Sequence, residues 1–304
     1  MKSLSISIIE TLCYHEIFSY PMRVSELRKY LLHDKLIGRQ QLILELKSNS
    51  RMHEDKNGYV FLRGSSKLID VRAKRTVYSS RKHAKARNVI NILKHIPTLK
   101  LIGISGSLSM NNAKVDDDID LFFITSHHTV WISRFLVTCV LLVLGNKRSR
   151  GKAIAKDRIC PNMFLSERAL SIPLGSRNIY TAHEVSQLKP VYAADNMYQK
   201  FLTANAWVLS LLPHAFIPDM SALVRTRLSS YLLLPLEFCM FIAQYLYMKK
   251  GMTREQVNLN YALFHPLQTD ISVQAIYALK VGYWVSSFRR EKLEKNSRHL
   301  ASLN

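Results

Sequence analysis

Two short runs hold the residues best suited to chemistry. Ser105-Gly106-Ser107 closes one apolar run, and Asp118-Ile119-Asp120-Leu121 opens the next. Successive side chains of an extended strand alternate faces, so Asp118 and Asp120 share one side while Ile119 and Leu121 take the other. Two carboxylates one strand-step apart repel each other, and a divalent cation between them relieves that repulsion. Mg2+ prefers oxygen ligands and is commonly held by one or two carboxylates together with substrate phosphates. Gly106 lets the backbone come close to a phosphate, and the unpaired N–H groups that open a helix face an anion. The Ser107 hydroxyl adds a donor. One run therefore suits a phosphate, and the other suits the metal that a phosphate carries.

This pairing of an apolar-Gly-Ser turn with a later Asp-x-Asp between apolar residues resembles the signature of the DNA polymerase beta-like nucleotidyltransferases. The resemblance spans residues 95–170. It implies that Gly106 and Ser107 bind a nucleoside triphosphate and that Asp118 and Asp120 hold Mg2+. The implied reaction transfers a nucleoside monophosphate to an acceptor and releases pyrophosphate. The start and tail of the chain also resemble bacterial proteins that carry this domain. In that superfamily a third carboxylate comes from a neighbouring strand, and "RICPNMFLS" has none inside it. Alternation would set Cys160, Asn162 and Phe164 on one face, which makes Asn162 the expected third catalytic position. Its amide oxygen can ligate a metal but is a poor base. Asp157 at the strand's entry is the fallback, and Glu167 at its exit is weaker. Asp116 and Asp118 form a second Asp-x-Asp pair. Only Asp118/Asp120 has apolar residues both between and after its members, so Asp116 and Asp117 are expected as loop acids. The missing acid supports a second reading, a nucleotide- or nucleic-acid-binding module that keeps the fold without the chemistry.

The elements that position these runs follow from periodicity. The sequence predicts an α+β protein. Its nucleotidyltransferase-like α/β core would span residues 96–170, with a winged-helix-like domain over 1–64, a basic linker helix over 65–95 and an all-α region over 171–304. Residues 1–64 read as three helices and a hairpin around Asn57-Gly58. Ser25 is a candidate N-cap for the second helix. The third offers Arg39, Gln40, Gln41 and Lys47 to nucleic acid. Lys67, Arg72, Lys74, Arg75, Arg81, Lys82, Lys85 and Arg87 make the 65–95 segment basic, with a break expected near Tyr78-Ser80. Val89, Ile90, Ile92 and Leu93 are its candidate packing end. Strand, short helix, strand, helix, strand then follow, an α/β signature.

The chain has 304 residues and a formal net charge of +21, from 43 Lys+Arg against 22 Asp+Glu. Such an excess predicts a polyanionic partner: a nucleoside triphosphate, nucleic acid, or a peripheral contact with an anionic membrane. Apolar residues make up 48%, enough for real cores and too many for a disordered chain. The four cysteines are scattered with no CxxC, which argues against a zinc site or a disulfide framework and for a cytoplasmic setting. No signal peptide is read at the start. Residues 130–145 and 231–248 are apolar but interrupted by Arg134, Glu237 and Gln244, so buried helices are expected rather than bilayer spans. Walker A, GxGxxG and HExxH patterns are absent. Lone candidates have structural defaults: His265 in a Phe-His-Pro turn, His127-His128 in a solvent turn, Trp207 in packing, and Asn205 satisfying a buried backbone group.

Overall fold

The computed structural model describes residues 2–48, 53–148, 156–217, 232–249, 256–263 and 267–301. The chain divides into two compact units. One comprises Met1–Ala73, Trp207–Phe216 and Asp270–Asn304, and the other Lys74–Ala206 and Ile217–Thr269.

In the first unit, helices α1 (Leu4–Ile17), α2 (Val24–Lys29) and α3 (Arg39–Ser48) precede the strands β1 (His53–Lys56) and β2 (Tyr59–Leu62). Ser3 caps α1 by accepting the Ile6 N–H. The β1–β2 hairpin turns at Asn57 and Gly58, both at positive φ, as a two-residue turn of this hand requires. Met22 bridges Val60 of the hairpin. Ser25 is not the cap of α2. It lies inside the first turn, and Glu26 instead accepts the Arg23 N–H at 2.8 Å. Leu42 and Leu46 bury one side of α3, which leaves Arg39, Gln40, Gln41 and Lys47 exposed.

Helix α4 (Leu68–Leu93) runs unbroken for 26 residues, with no interruption at Tyr78-Ser80. Its basic residues do not form one solvated face. Arg72 is buried, pairs with Glu26 at 2.6 Å and lies over the Tyr20 ring at 4.0 Å. Val89, Ile90 and Leu93 enter the core as expected, whereas Ile92 is exposed.

The second unit is built on a six-stranded sheet in the order β6-β3-β4-β5-β8-β7. Its members are β3 (Leu99–Ile104), β4 (Ile119–Thr125), β5 (Ile159–Ser166), β6 (Lys189–Ala193), β7 (Gln256–Val257) and β8 (Tyr261–Leu263). Among the described strands of this sheet, β4 and β5 are the pair that runs parallel, joined through α6 (Val130–Val143). The link between β3 and β4 contains only the single turn α5 (Gly106–Ser109), and these strands pair antiparallel. The molecule is thus mixed α/β. The region after residue 170 is not all-α: beside α7 (Ile179–Gln187), α8 (Met197–Ala204) and α9 (Leu234–Lys249) it supplies three strands to the sheet. These strands span two to five residues and lie toward the edges, where a short run with Pro190 leaves no period to read. Helix α10 (Leu267–Ala301) belongs mostly to the first unit.

Alternation in β4 sorts its side chains. Leu121 and Phe123 face a core with Ile102, Ile104, Phe164, Val89, Ile90, Leu93, Trp131 and Leu141. Phe123 stacks on Phe164 at 4.6 Å, while Phe122 turns the other way onto Phe201 of α8 at 5.2 Å. The polar residues that interrupt the two apolar runs find each other. Glu237 of α9, 1% exposed, accepts the N–H groups of Trp131 and Ile132 at 2.8 and 3.0 Å, where Thr129 provides no side-chain cap. Gln244 donates to the Trp131 carbonyl and accepts from Arg134. Buried backbone donors at a helix start need such partners. Of α9, Glu237 and Met248 are buried, while Leu236, Phe238, Leu246 and Tyr247 are exposed. The expectation of a fully buried helix therefore holds for one side of α9 only. Among the described residues, no helix is long and apolar enough to cross a membrane.

Candidate functional site

The face of β4 opposite the core carries Asp120, with Asp118 just before the strand. Both carboxylates are half-buried. The Ser105 N–H donates to the Asp120 carbonyl at 3.1 Å, which ties the start of the α5 turn to β4. Gly106 has φ +61°, a region costly for any residue with a Cβ. A Cβ built there would lie 2.7 Å from Asp120 Oδ2. The glycine is therefore required twice, by the turn and by the carboxylate against it. The Ser107 hydroxyl donates to Asp117 Oδ2 at 3.0 Å, and the Lys114 N–H reaches the same oxygen at 2.8 Å. Asp117 thus organises the loop, whereas Asp116 is exposed.

Helix α4 is the scaffold for that loop. Arg75 donates to Asn112 Oδ1 at 3.2 Å, and Ser79 Oγ accepts the Ala113 N–H at 3.1 Å. The Lys82 side chain is 2% exposed, and its ammonium reaches Asp157 Oδ1 at 2.6 Å and the carbonyls of Asp117 at 2.5 Å and Val115 at 3.2 Å. Positions 75, 79 and 82 fall on one side of a helix. Two of the cations expected to meet a polyanion instead hold the acidic loop in place.

The β5 residues beside the acids are set by strand pairing. Asp120 pairs with Cys160 across the parallel β4–β5 ladder, and a bulge follows. Leu121 opposes Pro161 but Phe122 opposes Met163, so Asn162 falls in the bulge. Beyond it, Phe164 lies on the core side. The alternation that would have set Cys160, Asn162 and Phe164 on one face is broken, and with it the argument for Asn162, which is buried. Cys160 stands with the acids: ligand atoms of Asp118, Asp120 and Cys160 lie within 4.8 Å of one another. Burial, then the charges of Asp120 and Asp118, push the Cys160 thiol well above its ordinary range, although Arg148 acts in the opposite sense. A protonated thiol is a weak ligand and no base at neutral pH.

Sequence reasoning missed Arg148. Its backbone N–H donates to the Ile159 carbonyl at 3.0 Å, beside the bridge between Lys147 and Ile159. From that anchor its guanidinium reaches Asp118 Oδ2 at 2.6 Å and Cys160 Sγ at 3.9 Å. Nothing in "NKRSR" marks this arginine out; only the β5 bridge does. A cation already standing on Asp118 shows that the donor set suits positive charge, and two carboxylates this close fit a hard divalent ion such as Mg2+.

The remaining candidates separate from this group. Asp157, at φ +57°, is engaged by Lys82. Glu167 accepts the His127 N–H at 2.9 Å, and both residues lie past the other end of the strands. The His127 and His128 rings are 3.4 Å apart. Burial, then His128 and Arg168, bring His127 down to about 4. Asn205 is fully buried, accepts the Ile172 N–H and donates to the carbonyls of Leu170 and Phe201, the backbone role expected of it. Trp207 is half-buried. His265 lies outside the described residues.

No family model matches this chain, and no curated protein matches it. Among solved structures, a chain from a crystal structure of a toxin-antitoxin with AMP-PNP matches at 15% identity and TM-score 0.23, over 54% of this chain and 93% of that one. At that TM-score the likeness carries no argument about fold or function.

Proposed function

We propose that this protein is a Mg2+-dependent nucleotidyltransferase of the DNA polymerase beta-like kind, moving a nucleoside monophosphate from a nucleoside triphosphate to an acceptor. The observation that carries this reading is the contact between the two signature runs, where the Gly106 backbone lies against the Asp120 carboxylate. A phosphate-binding turn and a metal-binding acid pair are of use to one another only at such proximity. Gly106 and Ser107 would orient the triphosphate, with Ser107 released from Asp117 toward a phosphate oxygen. Asp118 and Asp120 would hold the ion, which when bound offsets charge on the phosphate oxygens. Lys82 would keep the backbone of the acidic loop fixed, while Arg148 would have to leave Asp118 for the ion to bind.

One observation favours a second reading, a nucleotide- or nucleic-acid-binding module. Cys160, held as a neutral thiol, stands beside the acids where a third carboxylate would act. The exposed Arg39, Gln40, Gln41 and Lys47 of α3 supply a surface for nucleic acid in a winged-helix-like domain. The two readings separate in one experiment. The protein is incubated with Mg2+ and each labelled nucleoside triphosphate, with and without RNA, and pyrophosphate is measured. Release that disappears in Asp118→Asn and Asp120→Asn supports transfer. Nucleotide binding without release under every condition refutes transfer and leaves the binding module. Salt-dependent DNA binding lost in Arg39→Gln/Lys47→Gln would then locate the reader.

A further inference from the structure

We propose that the groove between α4 and the edge strand β6 is a second, metal-independent site for a phosphate-bearing ligand. The groove encloses about 540 Å3 and is lined by Thr76, Ser80, His83 and Arg87 of α4, by Ile104 and Asn111, and by Lys189, Pro190 and Val191 of β6. That volume suits a ligand larger than phosphate alone, since small-molecule sites run from about 300 to 1,000 Å3. Positions 76, 80, 83 and 87 form one stripe of α4, next to the stripe that holds the acidic loop.

The charge of the groove is one-signed. Arg87 and Lys189 supply its charge, His83 lines it as a neutral hydrogen-bond donor, and no carboxylate lines it. His83 Nε2 and Lys189 Nζ converge on one neutral acceptor, Asn111 Oδ1, at 2.8 and 3.3 Å. Asn111 is held at φ +54°, and its amide oxygen is where an anionic oxygen would most strengthen both contacts. The positive field registers on His83 itself. Burial lowers its pKa, the Asn111 bond works to raise it, and Lys189 and Arg87 lower it further. Thr76 and Ser80 add hydroxyls able to donate to phosphate oxygens. Ile104, Pro190 and Val191 give an apolar wall for the body of the ligand.

The groove is distinct from the acid pair. Its residues flank α5 in sequence, at Ile104 before it and Asn111 after it, but include neither carboxylate nor Cys160. Its ligand therefore needs no divalent ion, and the inference stands whether or not the protein transfers nucleotides.

The test uses inorganic pyrophosphate in EDTA, titrated calorimetrically into the full chain. Saturable one-to-one binding is expected. Arg87→Gln/Lys189→Gln should weaken it at least tenfold, and Ser80→Glu, which places a carboxylate in the groove, should abolish it. A control pair of exposed lysines on other parts of α4 and its end, Lys74→Gln/Lys94→Gln, should change it less than twofold. Absence of saturable binding by the native chain overturns the proposal. So does an equal loss in the lysine control, which would make the binding a property of general surface charge. An unchanged affinity in both groove variants, with their thermal melts native-like, overturns it as well.

Discussion

Replacing Lys82 by methionine tests whether α4 carries the acidic loop. The side chain is 2% exposed, and its ammonium donates to Asp157 Oδ1, the Asp117 carbonyl and the Val115 carbonyl. Lysine has three N–H donors, and all three are used. Methionine keeps the length and apolar packing of the stem but removes every donor. Each lost bond to a carbonyl costs about 1 kcal/mol net. The ion pair adds no more than about 1 kcal/mol, because Asp157 is 38% exposed and water screens it. The sum is about 3 kcal/mol, or about two orders of magnitude in the folding equilibrium. Urea unfolding, followed by the fluorescence of the buried Trp131 in a Trp207→Phe/Trp284→Phe background, reads that difference for the second unit. Asp157→Asn should cost only about 1 kcal/mol, since it removes the charge and leaves two of the lysine's bonds. Lys74→Met, on an exposed position of the same helix, should stay within about 0.5 kcal/mol. A Lys82→Met cost no larger than that of Lys74→Met would refute the scaffold role. A cost for Asp157→Asn equal to that of Lys82→Met would show that the carbonyl contacts contribute nothing.

Three further outcomes follow from the same geometry. Arg148→Met removes the cation that occupies Asp118; because the arginine is 46% exposed, the pair is worth about 1 kcal/mol at most, and Mn2+ affinity by electron paramagnetic resonance should rise about fivefold. Unchanged or weaker Mn2+ binding would sink that account. Gly106→Ala should lose about 1 kcal/mol of stability from its positive φ. Its effect on Mn2+ and nucleotide binding should be larger, since the new Cβ displaces the Asp120 carboxylate; native affinity in this variant would show that the carboxylate is not held there. In the first unit, burial works to raise the Glu26 carboxyl, but Arg72, the Arg23 N–H and Tyr20 together hold it below the ordinary 4.5. A depressed acid contributes stability that is full above 4.5 and is lost as pH falls through its lowered value. Glu26→Gln should flatten this acid limb below the ordinary carboxylate range in thermal melts, and an unaltered limb would contradict it.

The sequence alone determined the local elements and the two signature runs. Asn57-Gly58 specified its hairpin because a two-residue turn of that hand needs positive φ at both positions. The apolar run after Asp118, interrupted by Asp120, specified a buried strand, and alternation set Asp120 on the face opposite Ile119 and Leu121. Asn205 was legible as a polar residue in an apolar run, which when buried must bond to backbone. Partners distant in the chain were not legible. The basic run of α4 reads as one charged surface, yet Arg72, Arg75 and Lys82 turn inward to Glu26, Asn112 and Asp157, since burial of a cation depends on what folds against it. Alternation assumes an unbroken strand, so it could not fix where Asn162 lies beside the acids. Cys160 lies opposite Asp120 as alternation expects, and the bulge that follows at Asn162 shifts the register by one residue. Arg148 joins that group only through its backbone bond to Ile159. The residue types at positions 106, 118 and 120 are a property of the chain. Which cation stands on Asp118, and which side chain completes the group, depends on strand pairing that no local pattern encodes.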